Sequence, residues 1–226
     1  MSAEQLSVQV VEPAGTAAGA LLLLHGLGAS GCDFEPLLPQ LPLDRLGLRA
    51  VLPTAPLISV TVNGGMRMPG WYDIADDSLT RDEDEAGIRR SAEQVGDLIA
   101  AEGRRGLEPE RVALLGFSQG GAIALHTALR SPFRLAGVAA LSTYLLLEGK
   151  LDAEKSAAAA GIPFFLAHGG SDPIVPFARA EAARDRLRKS GFRVEWRRYD
   201  MEHAICQPEI ADLGVWLEEV FGKGGK

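Results

Sequence analysis

Residues 112–120 read V-A-L-L-G-F-S-Q-G, an apolar run that ends in G-x-S-x-G around Ser118. This spacing suits one kind of chemistry. A strand that turns sharply into a helix lifts a serine hydroxyl clear of the backbone, ready to attack an acyl carbon. Gly116 and Gly120 flank the turn, where a side chain would collide with neighbouring backbone. Residues 119–129 are almost wholly apolar, as expected of a helix buried against a sheet. The start of that helix places unpaired N–H groups and a positive dipole end beside the serine, where negative charge develops in acyl transfer.

A serine hydroxyl is a weak nucleophile at neutral pH and needs a positioned base. Four histidines are present: His25, His126, His168 and His203. His25 and His168 each precede glycine at the end of a predicted strand. His126 falls inside the buried helix, eight residues past the serine, so roughly 12 Å along its axis. His203 alone follows a late strand and is the candidate base. For the acid, Asp172 follows the strand at 164–167 and precedes Pro173, which favours an extended backbone. Asp200 also ends a strand and is the alternative.

The elements that must hold these groups follow from periodicity. Residues 7–11 read as an antiparallel edge strand, and 20–24, 48–52, 112–115, 135–141, 164–167 and 193–199 as further strands. Helices are expected at 33–41, 80–103, 119–129, 150–160, 178–190 and 208–221. Alternation of strands with helices predicts an α/β fold, a mostly parallel sheet covered on both faces. Its length of 226 residues and 46% apolar content suit one domain spanning 1–226. The irregular stretch 57–77 contains N-G-G between two short apolar runs, a hairpin signal. Leu57, Met66, Met68, Trp71 and Tyr72 on it either are exposed and wall a substrate pocket as a flap, or form a minor hydrophobic cluster that tacks the loop down, and the sequence favours neither. They also offer an apolar surface for a homodimer.

Other classes are disfavoured. The net charge of −7, with scattered Lys and Arg, argues against nucleic acid or anionic membrane as a partner. The first residues carry no basic-then-apolar leader, and the run at 20–24 is too short to span a bilayer. Cys32 and Cys206 lack metal spacing and read as reduced thiols, so the expected location is cytoplasmic. The glycine-rich loop at 25–31 lacks the lysine and spacing of a phosphate loop. The acidic run 82–85 reads as the first turn of a helix, with Thr80 and Glu83 forming a capping box, rather than as a metal site.

Five motifs occur in order: L-L-H-G-L-G at 23–28, G-W-Y-D-I at 70–74, G-F-S-Q-G-G at 116–121, H-G-x-x-D-P-I-V-P around Asp172, and M-x-H at 201–203. Together they resemble the phospholipase/carboxylesterase family of small α/β hydrolases, which includes bacterial carboxylesterases and acyl-protein thioesterases. The hairpin and L-S-T-Y at 141–144 look more like the bacterial carboxylesterases. The resemblance implies an α/β-hydrolase fold with Ser118 as nucleophile, Asp172 as acid and His203 as base. It also implies an oxyanion hole from the backbone N–H groups of Leu27 and Gln119, and no cofactor or metal. Many members carry Asp where this chain has Ala29, which weakens transfer of the thioesterases' loop details. The expected activity is hydrolysis of short-to-medium acyl esters, with a small-molecule or lipid ester as substrate. A thioesterase or lysophospholipase acting through the same three residues is the alternative. A non-catalytic binder on the same scaffold is disfavoured by the intact serine, acid and histidine.

Overall fold

The computed structural model describes residues 6–76, 79 and 82–222. Its centre is a seven-stranded sheet in the order β1-β3-β2-β6-β7-β8-β9. β1 (Ser7–Val11) pairs antiparallel with β3 (Leu48–Thr54); all other neighbours in the sheet are parallel. β2 (Gly19–Leu24), β6 (Val112–Phe117), β7 (Gly137–Leu141) and β8 (Phe164–Gly169) are the interior strands beyond β3, and β9 (Val194–Tyr199) is the far edge. β4 (Leu57–Val60) and β5 (Met66–Pro69) form a separate hairpin.

The unbroken apolar runs are explained by burial on both faces. Successive residues of a strand point to opposite sides. Leu22, Leu24, Leu114, Val138 and Leu166 face one core, whereas Leu21, Leu23, Leu115, Ala139 and Phe165 face the other. The first core is covered by α2 (Glu85–Arg104) and α3 (Gln119–Arg130), and the second by α6 (Gln207–Phe221) and by α1 (Leu43–Leu46). Residues 119–129 of α3 are all buried. Each large aliphatic side chain so placed contributes about 1.5–3 kcal/mol. The expected α/β architecture, with helices on both faces, is therefore present.

Register decides where function sits. Leu24 pairs with Gly116, Phe117 with Leu141, Leu141 with Ala167, and Gly169 with Tyr199. The carboxyl ends of β2, β6, β8 and β9 are thus aligned at one edge of the sheet. The chain order also reverses between β2 and β6, since β3 lies on one side of β2 and β6 on the other. A crevice opens at such a reversal.

Three sequence expectations are corrected. The helix expected at 33–41 is two 3-10 turns, Gly31–Phe34 and Leu38–Gln40, because Pro36 and Pro39 remove backbone donors. The helix expected at 150–160 is one turn, α4 (Leu151–Glu154), followed by a 3-10 turn at Ala157–Ala159. There the Ser156 hydroxyl accepts from the Ala158 N–H and starts a new turn. The helix expected from residue 80 begins at Glu85, with the Asp84 side chain accepting from the Gly87 N–H at 2.9 Å. Thr80 lies outside the described residues, and Glu83 accepts from the Leu147 N–H instead. α5 (Phe177–Lys189) falls where expected.

Glu209, in the first turn of α6, is fully buried. Neither carboxylate oxygen completes a hydrogen bond. Desolvation pushes its pKa from the ordinary 4.5 to about 8, and the approach of the Cys206 backbone N–H offsets only part of this. An acid whose pKa rises on folding favours the fold while protonated. That stability is complete below pH 4.5 and drains away as pH climbs through about 8. Glu209→Gln is expected to stabilise the protein at pH 8 by roughly 2 kcal/mol or more and to have little effect at pH 4.5. Urea unfolding at the two pH values measures this; equal effects at both would show that Glu209 carries no such penalty.

Candidate active site

The turn between β6 and α3 is a single residue, Ser118. Ser118 has φ 54° and ψ −122°, a conformation that L residues rarely adopt. Glycine is required around it. A Cβ on Gly116 would lie 2.3 Å from the Gly120 carbonyl oxygen, and one on Gly120 would lie 2.0 Å from that of Leu24. The Ser118 N–H donates to the Leu141 carbonyl at 2.9 Å, and the Thr143 hydroxyl donates to the Ser118 carbonyl at 2.7 Å. The serine is thus bound into the sheet on both sides of its side chain.

β8 and β9 bring the other two groups to the same edge. Ser118 Oγ lies 3.0 Å from His203 Nε2, and His203 Nδ1 lies 2.6 Å from Asp172 Oδ2. A carboxylate oxygen can only accept from the ring. The proton therefore sits on Nδ1 and leaves Nε2 as an acceptor for the serine hydroxyl. Asp172 is fixed in turn: its Oδ1 accepts from the backbone N–H groups of Ile174 and Val175, both at 2.8 Å. Phe117 packs on the imidazole at 4.8 Å between ring centroids. Asp200, the alternative acid, is exposed at the end of β9, while His203 faces Asp172.

The remaining histidines are buried and neutral. His25 Nε2 accepts from the Ala55 N–H at 2.9 Å, so Nδ1 carries the proton and donates to the Gly26 carbonyl at 2.7 Å. His168 Nε2 donates to the Val175 carbonyl at 2.9 Å and lies 3.4 Å from Asp172 Oδ2. Burial lowers the pKa of both. His126 is pushed down to about 3, first by burial and then by the charges of Arg130 and Arg89. His25 holds the glycine-rich loop.

Gln119 follows Ser118, and Leu27 follows Gly26, where a Cβ would lie 3.4 Å from that of Ser118. Among the described residues, neither backbone N–H donates to another backbone carbonyl. The Gln119 amide is the first of α3, so it has no partner within the helix. The loop bearing Leu27 is pinned by the Gly28 N–H donating to the Pro69 carbonyl at 2.8 Å. The Trp71 indole N–H donates to the His25 carbonyl at 2.8 Å.

The flap expectation needs correction. Trp71 and Tyr72 are not exposed: they are 2% and 3% accessible. The Tyr72 hydroxyl is hydrogen bonded to that of Tyr144 at 2.8 Å, and burial raises the pKa of both phenols. Leu57 and Met66 are exposed at the hairpin, and Met68 packs towards Gly28. A cavity of about 490 Å³ opens beside the serine on the opposite side of the site, and no hairpin residue lines it. Its walls come from residues 33–40 and 203–210. Sequence reading missed this wall because proline-broken turns carry no periodicity.

Sequence reading also missed the Gln119 side chain. Its Oε1 accepts from the Trp71 N–H at 2.9 Å and its Nε2 donates to the Tyr72 carbonyl at 2.8 Å. A polar residue just inside an otherwise apolar helix was the available signal. The acids at 83–85 are engaged structurally: besides the Asp84 cap, Glu85 pairs with Arg89 and Lys150.

Comparison with known proteins identifies the family. A model of the phospholipase/carboxylesterase family matches residues 6–220. Acyl-protein thioesterase 1 of Mycosarcoma maydis is 40% identical over 219 residues, covering 89% of this chain and 90% of that protein. Its namesake in Neurospora crassa is 38% identical over 215 residues, covering 90% and 87%. Among solved structures, Arabidopsis thaliana SOBER1 superposes with a TM-score of 0.84 at 30% identity, covering 89% of this chain and 98% of that one. Zea mays acyl-protein thioesterase 2 does so with a TM-score of 0.84 at 30% identity, covering 96% and 99%. This chain belongs to the phospholipase/carboxylesterase family and is a hydrolase of esters or thioesters.

Proposed function

We propose that the protein is a serine hydrolase of carboxylic esters and thioesters of short to medium acyl chains, with Ser118, His203 and Asp172 as its catalytic triad. The observation that carries this reading is the continuous relay from Ser118 Oγ through His203 to Asp172, at 3.0 Å and 2.6 Å. As Oγ bonds to the carbonyl carbon, its proton passes to His203 Nε2. Asp172 holds the imidazole in the required tautomer and stabilises the imidazolium. The carbonyl electrons move onto oxygen, which the N–H groups of Leu27 and Gln119 receive; each donor is worth roughly 3 kcal/mol of barrier. Collapse breaks the bond to the leaving alcohol or thiol, which takes the proton from Nε2. Water then repeats the sequence on the acyl-enzyme, regenerating Ser118 and releasing the acid. No step calls for a cofactor.

A second reading, removal of acyl groups from proteins, is supported by relatives named acyl-protein thioesterase 1 at 40% and 38% identity. The triad is indifferent between the two, since it acts on the acyl carbonyl alone.

Ser118→Ala is expected to lower kcat about 10⁴-fold or more with the fold intact. Turnover of p-nitrophenyl esters from acetate to palmitate, beside matched thioesters, tests both readings. A maximum at short esters supports a carboxylesterase, and a maximum at long thioesters supports the second reading. Near-normal rates in Ser118→Ala would remove both.

Gln119 links the elbow to the base of the hairpin. Gln119→Ala leaves the Trp71 N–H and Tyr72 carbonyl unpaired in a buried site, at a cost of about 1–3 kcal/mol each. The expected outcome is a kcat lower by about tenfold or more, with KM little changed, because the loop bearing Leu27 loosens. Unaltered kcat in a variant of unaltered melting temperature would show that the side chain does not position the hole.

A further inference from the structure

The geometry points to the cavity beside His203 as the seat of the substrate's leaving group, and to an apolar alcohol or thiol of about six to eight carbons as that group. This rests on the triad reading above.

The direction follows from the tetrahedral intermediate. Of the four substituents on the reacting carbon, one is Ser118 Oγ. The oxyanion points to Leu27 and Gln119. The leaving atom must lie against His203 Nε2 to receive its proton, and the acyl chain takes the direction that remains. The cavity is lined by His203 itself, by the following Ala204 and Ile205, and by Phe117. Gly26 is also on its wall, and a Cβ there would lie 3.4 Å from the Ser118 Cβ, so the cavity abuts the nucleophile. It therefore adjoins the leaving-atom position.

Its chemistry is apolar. Phe34, Leu37 and Ile210 form the far wall and are all less than 9% accessible. Most polar side chains on the wall have partners, and Asp33 and Gln207 are exposed to solvent. Asp33 accepts from the Ser30 N–H and hydroxyl. Gln40 Nε2 donates to the Pro36 carbonyl, and Gln40 Oε1 accepts from Gln207 Nε2 at 2.9 Å, linking the two rims. Both His25 nitrogens are hydrogen bonded to backbone. A polar leaving group would lose its hydration there without gaining partners, whereas an apolar one gains burial. The volume of about 490 Å³ accommodates a group of phenylethyl size.

The test fixes the acyl group and varies the alcohol. Hydrolysis of methyl, butyl, hexyl and 2-phenylethyl acetates is followed by acid release. The kcat/KM is expected to climb about tenfold or more from methyl to 2-phenylethyl acetate. Gln40→Trp, which fills the rim, is expected to abolish the climb, bringing kcat/KM for 2-phenylethyl acetate down to that for methyl acetate. Leu37→Ala is expected to move the optimum to larger alcohols; because it removes buried volume, its folding is checked by circular dichroism, and Gln40→Trp decides if it fails. A flat series in the wild type, or a climb that survives Gln40→Trp, overturns the assignment while phosphonate labelling of Ser118 leaves the hydrolase reading standing. A Ser118 that neither labels nor supports turnover removes both.

Discussion

The close approach of α3 to the ends of β2 and β6 is the constraint on which the site depends. Gly120 sits where any side chain would overlap the carbonyls of Leu24 and His25, and Gly116 where one would overlap Gly120. Those contacts let the helix start one residue after the serine. They also force Ser118 into its strained conformation. The strain is carried by burial: the residues of α3 up to Leu129 are all enclosed, and the strands beneath are buried on both faces. A helix so held cannot relax outward, so the unpaired amide at its start stays fixed beside Ser118.

Burial also sorts the histidines. A neutral ring has one donor and one acceptor nitrogen, and its tautomer is set by its partners. In His25 both nitrogens are consumed by backbone, so the ring works as a fixed strut under the oxyanion loop. In His168 the Nε2 proton is consumed by the Val175 carbonyl, which shapes the loop bearing Asp172. His203 differs in that its second nitrogen meets a hydroxyl that can leave its proton behind. His25 and His168 are thus braces, whereas His203 meets the hydroxyl that the proposed base role requires, and the partner atoms separate them.

The strands, the antiparallel first strand, the two buried faces and the glycine-flanked elbow were legible in the sequence. Each arises from a local signal: an apolar run or a glycine pair. What was not legible depends on contacts between distant segments. The burial of Trp71 and Tyr72 comes from Gln119, Tyr144 and His25, which lie dozens of residues away and give no periodic signal. The wall built by residues 33–40 is a chain of prolines and short turns whose apolar members point inward only because α6 lies opposite. For the hairpin stretch the sequence leaves a pocket wall and a tacked-down apolar cluster equally open, and the burial of Trp71 and Tyr72 matches the cluster. Its task is to hold the loop carrying Leu27, through Pro69 and Trp71.

This division of labour explains how one triad serves many substrates. The relay from Ser118 to Asp172 contacts only atoms common to every ester and thioester, so it offers no basis for choice between them. Choice has to be made by surfaces that meet the two arms of the substrate. On the proposed mechanism the two arms leave the reacting carbon in different directions, and the 33–40 and 203–210 walls border the side next to His203. The hairpin base is tied to the elbow through the Gln119 side chain, so a change there reaches the turn that carries Ser118. The 33–40 segment enters neither the Gly116 and Gly120 contacts nor the Asp172 hydrogen bonds, so that wall can vary without moving them.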